Sequence, residues 1–212
     1  MNISQISKRL EFLITRPIIP WVAKSRITPN ALTLIGLVLS LITAAVIAAG
    51  NLFLGGFLVL LSGLFDMMDG SLARSTGKTT KFGAFLDSTI DRFSEALLLL
   101  GLIIFYMGQG DRELVIGMFS LGNEALFAAI VIFTVMIFSF LTSYTRARAE
   151  GLGIDCQVGI FPRAGRVILL ALGLIFNCVI LVLLLIALLG LITVIQRILH
   201  VWKQSPDAGK RR

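Results

Sequence analysis

The chain has 212 residues, of which 57% are hydrophobic and only 15% are charged, and its formal net charge is +7. Soluble domains carry about a quarter charged residues, so the composition excludes an ordinary soluble domain and predicts an integral membrane protein. The basic excess indicates membrane orientation rather than nucleic-acid binding. With both termini in the cytoplasm, almost every Arg and Lys faces the cytoplasm and only Arg112 lies on the opposite side.

The first 25 residues predict an amphipathic helix that lies in the membrane interface. Apolar residues recur there at helical spacing, with charged residues between them, at Ile3, Ile6, Leu10, Leu13 and Ile14. Pro29 then favours a turn into the first membrane span. The segment 1–25 is therefore predicted to rest on the cytoplasmic face of the membrane.

Six apolar segments are long enough to cross a bilayer core, which takes about 20 residues. They lie near 31–50, 52–73, 83–107, 124–145, 158–176 and 178–200. The last two belong to one apolar run, 167–196, which as a single helix would rise about 45 Å, well beyond a core of about 30 Å. We therefore predict a tight turn near Asn177, one all-α membrane domain of six transmembrane helices over residues 1–204, and a polar tail at 205–212.

Four aspartates stand beside or inside the apolar segments. Asp66 and Asp69, three residues apart, share one face at the end of the second span, and Asp87 and Asp91, four apart, share one face of the third. Because a short loop joins these spans, they are antiparallel neighbours, and the four carboxylates can converge near the cytoplasmic surface. A carboxylate in hydrocarbon is costly, so this cluster requires groups that offset its charge.

Four carboxylates with no His or Cys nearby predict a site for a hard cation such as Mg²⁺, Mn²⁺ or Ca²⁺. Their total charge exceeds that of one divalent ion, so two divalent cations are plausible, and paired ions typically serve phosphoryl transfer. Three other interpretations stay open. The aspartates could cap helix ends, form a cation or proton relay in a transporter, or pair structurally with Arg74, Arg92 and the lysines.

The spacing of these residues resembles the signature of the CDP-alcohol phosphatidyltransferases at every fixed position. The motif here is Asp66-x2-Asp69-Gly70-x2-Ala73-Arg74-x8-Gly83-x3-Asp87-x3-Asp91. The resemblance implies that the four aspartates bind two divalent cations, Mg²⁺ or Mn²⁺, and that Asp91 is also the general base. It implies a CDP-linked lipid as donor and CMP as leaving group, with the nucleotide contacted by Gly70, Ala73, Arg74, Gly83 and Thr33. It further suggests a multi-pass homodimer in the cell membrane with its active site facing the cytoplasm.

The sequence also resembles the branch of this family that makes phosphatidylinositol phosphate, or its archaeal ether-lipid counterpart, from inositol 1-phosphate. The similarity lies in "FGAFLDSTIDRFSE", "SYTRARAEGLG" and "FPRAGR". It implies a cationic pocket for the acceptor phosphate, formed by Arg146, Arg163, Arg166 and Arg197, because bidentate Arg suits phosphate. One position departs from that branch, since Gly165 stands where an acidic residue often precedes the second arginine.

Other functions remain to be separated by experiment. Within the family, phosphatidylglycerophosphate synthesis is the main alternative. Outside it, a cation-coupled transporter would carry out transport without nucleotide, and a membrane prenyltransferase would also use aspartates to bind Mg²⁺–pyrophosphate. This chain is short for the prenyltransferase fold, and a transporter leaves the Gly70, Ala73 and Gly83 spacing unexplained.

Overall fold

The structure is a computed structural model that describes residues 27–110, 113–116 and 119–205. In this part of the chain there are six helices: α1 (Pro29–Ala48), α2 (Leu52–Ser75), α3 (Lys81–Met107), α4 (Glu124–Gly151), α5 (Arg163–Ile175) and α6 (Val179–Gln204). The predicted interfacial helix at 1–25 lies outside the described residues, as does the predicted tail after Ser205.

Four of the helices begin at a Thr or Asn whose side chain accepts a hydrogen bond from a backbone N–H of the first turn. These caps are Thr28 for α1, Asn51 for α2, Thr80 for α3 and Asn123 for α4. Such caps satisfy amide groups that have no partner inside the helix. Pro29 occupies the first turn of α1, where its missing N–H costs nothing. Local sequence therefore determines where these helices begin.

Four described helices, α1, α2, α4 and α6, are long and apolar enough to cross a membrane. Helix α3 is also long, but its last 18 residues still contain Asp91, Arg92 and Glu95. Helix α5 has only 13 residues. The predicted span 158–176 was too long at its beginning, because Pro162 precedes the helix and residues 158–162 are not helical.

The predicted turn between the last two helices is confirmed at Asn177. Its φ of 52° is in the left-handed region, which Asn adopts more readily than most residues. The N–H of Cys178 donates to the carbonyl of Gly173 at 2.9 Å, the bond expected where a left-handed residue ends a helix. The apolar run 167–196 is therefore folded back on itself.

The prediction of an all-α chain needs one addition. Two short strands, β1 (Glu113–Ile116) and β2 (Phe119–Asn123), pair antiparallel between α3 and α4, with Ile116 opposite Phe119. They lie at the end of the molecule away from the four aspartates. The remainder of the described chain is helical or irregular.

Close contacts between backbones hold the bundle together. Helix α1 packs against α2 and α3, α2 packs against α5, and α6 packs against α4 and α5. A Cβ atom on Gly101 would lie 2.6 Å from the carbonyl oxygen of Ala44, and one on Gly56 would lie 2.8 Å from that of Ala171. Small residues of this kind let membrane helices approach closely. This packing brings the polar ends of α2, α3 and α5 together.

Candidate active site

Three of the four aspartates form one cluster. Asp66 and Asp69 on α2 and Asp87 on α3 each offer a carboxylate oxygen, and these atoms all lie within 4.8 Å of one another. Asp69 is buried, with 3% of its surface exposed. Three carboxylates this close repel one another unless a cation neutralises them. The donor set is therefore suited to a divalent cation that prefers oxygen ligands.

Asp91 joins this cluster through Arg163, the first residue of α5. The guanidinium of Arg163 contacts Asp66 and lies 2.6 Å from Oδ1 of Asp91. Oδ1 of Asp91 has no hydrogen-bond partner in the described chain, so the contact with Arg163 is an ion pair without hydrogen-bond geometry. Arg163 thus links Asp91 to the cluster formed by Asp66, Asp69 and Asp87, with Asp91 on the side of α5.

Thr33 contacts one of the aspartates directly. Its hydroxyl donates a hydrogen bond of 2.6 Å to Oδ2 of Asp69, and both residues are buried. The sequence predicts that Thr33 touches the nucleotide, whereas this contact indicates that Thr33 orients a carboxylate. Groups that hydrogen-bond a metal ligand fix its direction and tune its affinity.

One pocket brings together all five residues predicted to contact the nucleotide. It has a volume of about 180 Å³ and is lined by Thr33, Gly70, Ala73, Arg74 and Gly83, together with Asp69 and Asp87. Small residues leave space beside the carboxylates, and Arg74 places a cation at the wall. The lining also includes Asn30, Lys78, Thr79 and Thr80, which the sequence analysis did not single out.

The four arginines predicted to bind the acceptor phosphate divide into two pairs. Arg163 and Arg166 line an internal cavity of about 40 Å³ that also reaches Asp66 and Asp69. Arg146 instead pairs with Glu150 on the exposed surface of α4. Arg197 donates to two backbone carbonyls, those of Thr142 and Val158. Only the first pair is therefore positioned beside the aspartates.

Glu95 is an acidic residue at this site that the sequence analysis missed. Its carboxylate accepts hydrogen bonds from Nε and Nη2 of Arg166, at 2.8 and 3.2 Å. It follows Asp91 by four residues, so it lies on the same face of α3 as Asp87 and Asp91. A search for further acidic residues at this spacing would have found it.

The fold and this cluster define a multi-pass helical membrane protein with a carboxylate site for a divalent cation and a phosphate-bearing ligand. Residues 26–203 match the family model described as CDP-alcohol phosphatidyltransferase. The chain belongs to this family. It is therefore an enzyme that transfers a phosphatidyl-type group from a CDP-linked lipid to an alcohol, with a divalent metal cofactor.

Within this family, the chain is similar to synthases of inositol phospholipid phosphates. The chain is 36% identical to archaetidylinositol phosphate synthase of Pyrococcus horikoshii over 84% of this chain and 85% of that protein. It is 33% identical to phosphatidylinositol phosphate synthase of Cutibacterium acnes, over 73% and 69% of the two chains. The solved phosphatidylinositol phosphate synthase of Mycobacterium tuberculosis with CDP-DAG bound superimposes with a TM-score of 0.76 at 30% identity, covering 93% of this chain and 98% of that one. The same enzyme has also been solved with manganese and citrate.

The hydrogen bond from Thr33 to Asp69 leads to a prediction about metal binding. Replacing Thr33 by Val keeps the shape of the side chain but removes the donor, so we expect Mn²⁺ affinity to fall about tenfold or more. Replacing Thr33 by Ser keeps the hydroxyl and should retain most of the affinity. Mn²⁺ binding to the purified variants, measured by electron paramagnetic resonance, separates the two. Equal affinity in both variants would show that Thr33 does not orient Asp69.

Proposed function

We propose that this enzyme transfers the phosphatidyl group, or its ether-lipid equivalent, from a CDP-linked lipid to inositol 1-phosphate at the cytoplasmic side of the cell membrane. The observation that carries the proposal is the pocket beside Asp69 and Asp87, whose wall contains all five predicted nucleotide contacts. The products are CMP and phosphatidylinositol phosphate, or the ether-lipid equivalent of that lipid. The named functions of the relatives support the same acceptor.

The protein has separate spaces for the nucleotide and for the lipid chains of the donor. Thr33, Gly70, Ala73, Arg74 and Gly83 would surround the cytidine nucleotide, with Arg74 able to donate to a phosphate oxygen. A separate groove of about 480 Å³ lies between α2 and α5 and reaches Asp66 and Arg163. Most of its lining is apolar, including Leu60, Leu64, Val167 and Ile168. This groove is suited to a lipid chain while the nucleotide occupies the polar pocket.

The four aspartates would have two roles, metal binding and, for Asp91, general-base catalysis. Asp66, Asp69 and Asp87 would hold one divalent cation, and Asp91 would join Asp66 and Asp87 around a second, both Mg²⁺ or Mn²⁺. Bound cations would neutralise the negative charge of the pyrophosphate. Asp91 accepts the proton of the acceptor hydroxyl as that oxygen bonds to the lipid-side phosphorus. The bond from this phosphorus to the CMP oxygen breaks, so atoms and charge balance.

The positions of the arginines are the basis for proposing an acceptor that carries a phosphate. Arg163 and Arg166 stand at the α5 side of the aspartates, and neither lines the pocket assigned to the nucleotide. An acceptor with its own phosphate brings two negative charges, which guanidinium groups bind well. Arg146 and Arg197 remain predicted contributors, although each already has a partner on the protein. A neutral acceptor would gain little from this arrangement.

The expected substrate profile tests this function. With CDP-diacylglycerol as donor, we expect CMP release to be fastest with inositol 1-phosphate. Glycerol 3-phosphate, serine and free inositol should each support at most about a tenth of that rate, because they lack either the ring or the phosphate. Preference for glycerol 3-phosphate would instead identify a phosphatidylglycerophosphate synthase. Parallel assays with an archaeal CDP-linked ether lipid determine which lipid the donor groove prefers.

The proposal includes the arrangement in the membrane. Helix α3 would also span the membrane, making five spans with α1, α2, α4 and α6, because its charged residues Asp91, Arg92 and Glu95 each contact a residue of another helix. Helix α5 would be the sixth span, joined to α6 by the tight turn at Asn177. Both termini would then lie in the cytoplasm, with residues 1–25 as an interfacial helix. We also propose a homodimer, which crosslinking in native membranes would test.

A further inference from the structure

Two ion pairs connect α3 and α5 in register. On α3, Asp91 and Glu95 are four residues apart, and on α5, Arg163 and Arg166 are three apart, so each pair lies on one helix face. Asp91 meets Arg163 at 2.6 Å, and Glu95 meets Arg166 at 2.8 Å. The first pair belongs to the aspartate cluster. The second lies one turn deeper in the bundle, and of its two residues only Arg166 has a role in the reaction described above.

The second pair is buried. The side chain of Arg166 is 5% exposed and that of Glu95 is 13% exposed. Charged groups at such positions in a membrane protein are costly and generally serve function. Arg92 is the other cation near this carboxylate, at 3.6 Å, and it also contacts Asp91 and Ser143. Glu95 therefore lies between two arginines, with its shorter contacts to Arg166.

The contact with Glu95 fixes the orientation of the Arg166 guanidinium. It uses Nε and Nη2 and leaves the third nitrogen, Nη1, outside the pair. Glu95 and Arg166 both line the internal cavity that reaches Asp66 and Arg163. A planar guanidinium held by two bonds cannot rotate freely, so its remaining donors point in a defined direction.

We propose that Glu95 is a positioning residue for the acceptor: it holds Arg166 at the cavity so that this arginine can contact the phosphate of the incoming alcohol. This inference rests on the proposed function, because it requires an acceptor that carries a negative charge. Glu95 does not touch the reacting atoms. It acts through Arg166, and its loss should affect the acceptor rather than the donor or the metal.

The test compares steady-state kinetics of the full-length enzyme with the variants Glu95→Gln and Glu95→Asp. Gln has nearly the shape of Glu but lacks the charge, so we expect the KM for inositol 1-phosphate to rise about tenfold or more. The KM for CDP-diacylglycerol and the affinity for Mn²⁺ should change less than about twofold. Asp keeps the charge on a shorter side chain, so its effect should be intermediate.

The matched control is Asp155→Asn. Asp155 is exposed in the loop between α4 and α5, and its hydrogen bond with His200 uses its backbone carbonyl. This variant also replaces a carboxylate by an amide, and we expect it to leave the KM for the acceptor within about twofold. A second control combines Glu95→Gln with Arg166→Lys. If Glu95 acts through Arg166, the double variant should have a KM close to that of Arg166→Lys alone.

Several results would overturn the inference. An unchanged KM for the acceptor in Glu95→Gln, or effects of Glu95 and Arg166 that simply multiply, would exclude positioning through Arg166. A parallel rise of both KM values with a lower unfolding temperature in both Glu95 variants would indicate a structural role only. Failure of the proposed function is distinct, because the wild-type enzyme itself would then release no CMP with inositol 1-phosphate. If wild-type enzyme accepts only uncharged alcohols, the positioning role is excluded as well.

Discussion

Replacing Asp91 by Asn is expected to reduce the rate of CMP release by at least about a hundredfold, the range typical of a lost general base. An amide has nearly the same shape as the carboxylate and can still accept a contact from Arg163, which lies 2.6 Å from Asp91. It cannot take up the proton of the acceptor hydroxyl. The KM for the CDP-linked lipid should therefore change much less than kcat, and the folded state should be retained.

Asp155→Asn is the matched control for this experiment. Asp155 is exposed in the loop between α4 and α5, and the contact recorded for it, with His200, uses its backbone carbonyl. The same chemical change there should leave CMP release unaffected. Turnover of Asp91→Asn near the wild-type rate would rule out Asp91 as the base. Because Asp91 is also a predicted metal ligand, Mn²⁺ binding must be measured on the same sample to separate the two roles.

Removal of the metal should reduce the rate of CMP release at least as much as Asp91→Asn does. Excess chelator is expected to abolish CMP release, and added Mg²⁺ or Mn²⁺ should restore it, because the clustered carboxylates need a cation to offset their repulsion. Asp69→Asn should weaken Mn²⁺ binding by at least about tenfold, since even indirect partners of a metal ligand matter this much. Calorimetry with Mn²⁺ on the detergent-solubilised protein measures the binding independently of activity.

The interpretation of this experiment depends on Asp69 alone being changed. Asp69 is buried and bonded to Thr33, so the unfolding temperature of the variant must be compared with that of the wild type. Asp155→Asn again serves as the control and should bind Mn²⁺ normally. Full activity in excess chelator would remove the metal from the mechanism and would favour a structural role for the aspartates.

Much of the fold could be predicted because it depends on local features. Pro29 and the caps Thr28, Asn51 and Thr80 mark helix starts, and the length of the run 167–196 requires the turn found at Asn177. The beginning of α5 was predicted five residues too early. Apolar content extends through 158–162, but Pro162 ends the non-helical segment and the helix begins only after it. Hydropathy alone does not register that backbone constraint.

The site was predictable where spacing on one helix determines geometry. Residues three or four apart share a face, which is why Asp66 and Asp69 lie together on α2, and the short connection between α2 and α3 brings Asp87 to them. Contacts between helices were not predictable in the same way. Arginines at the ends of spans are expected from topology alone, so the sequence does not distinguish Arg166, which is buried against Glu95, from Arg146, which is exposed.

The short length of α5 has a consequence for how the substrates meet. Thirteen residues rise about 20 Å, so if the turn at Asn177 lies at the far surface, Arg163 ends about 10 Å below the near surface of a core of about 30 Å. Water-soluble acceptor and CMP would then pass through a short vestibule. The lipid would diffuse in sideways between α2 and α5 and leave by the same route. Its chains would never have to be lifted into water, which would cost about 0.8 kcal/mol for every CH₂ exposed.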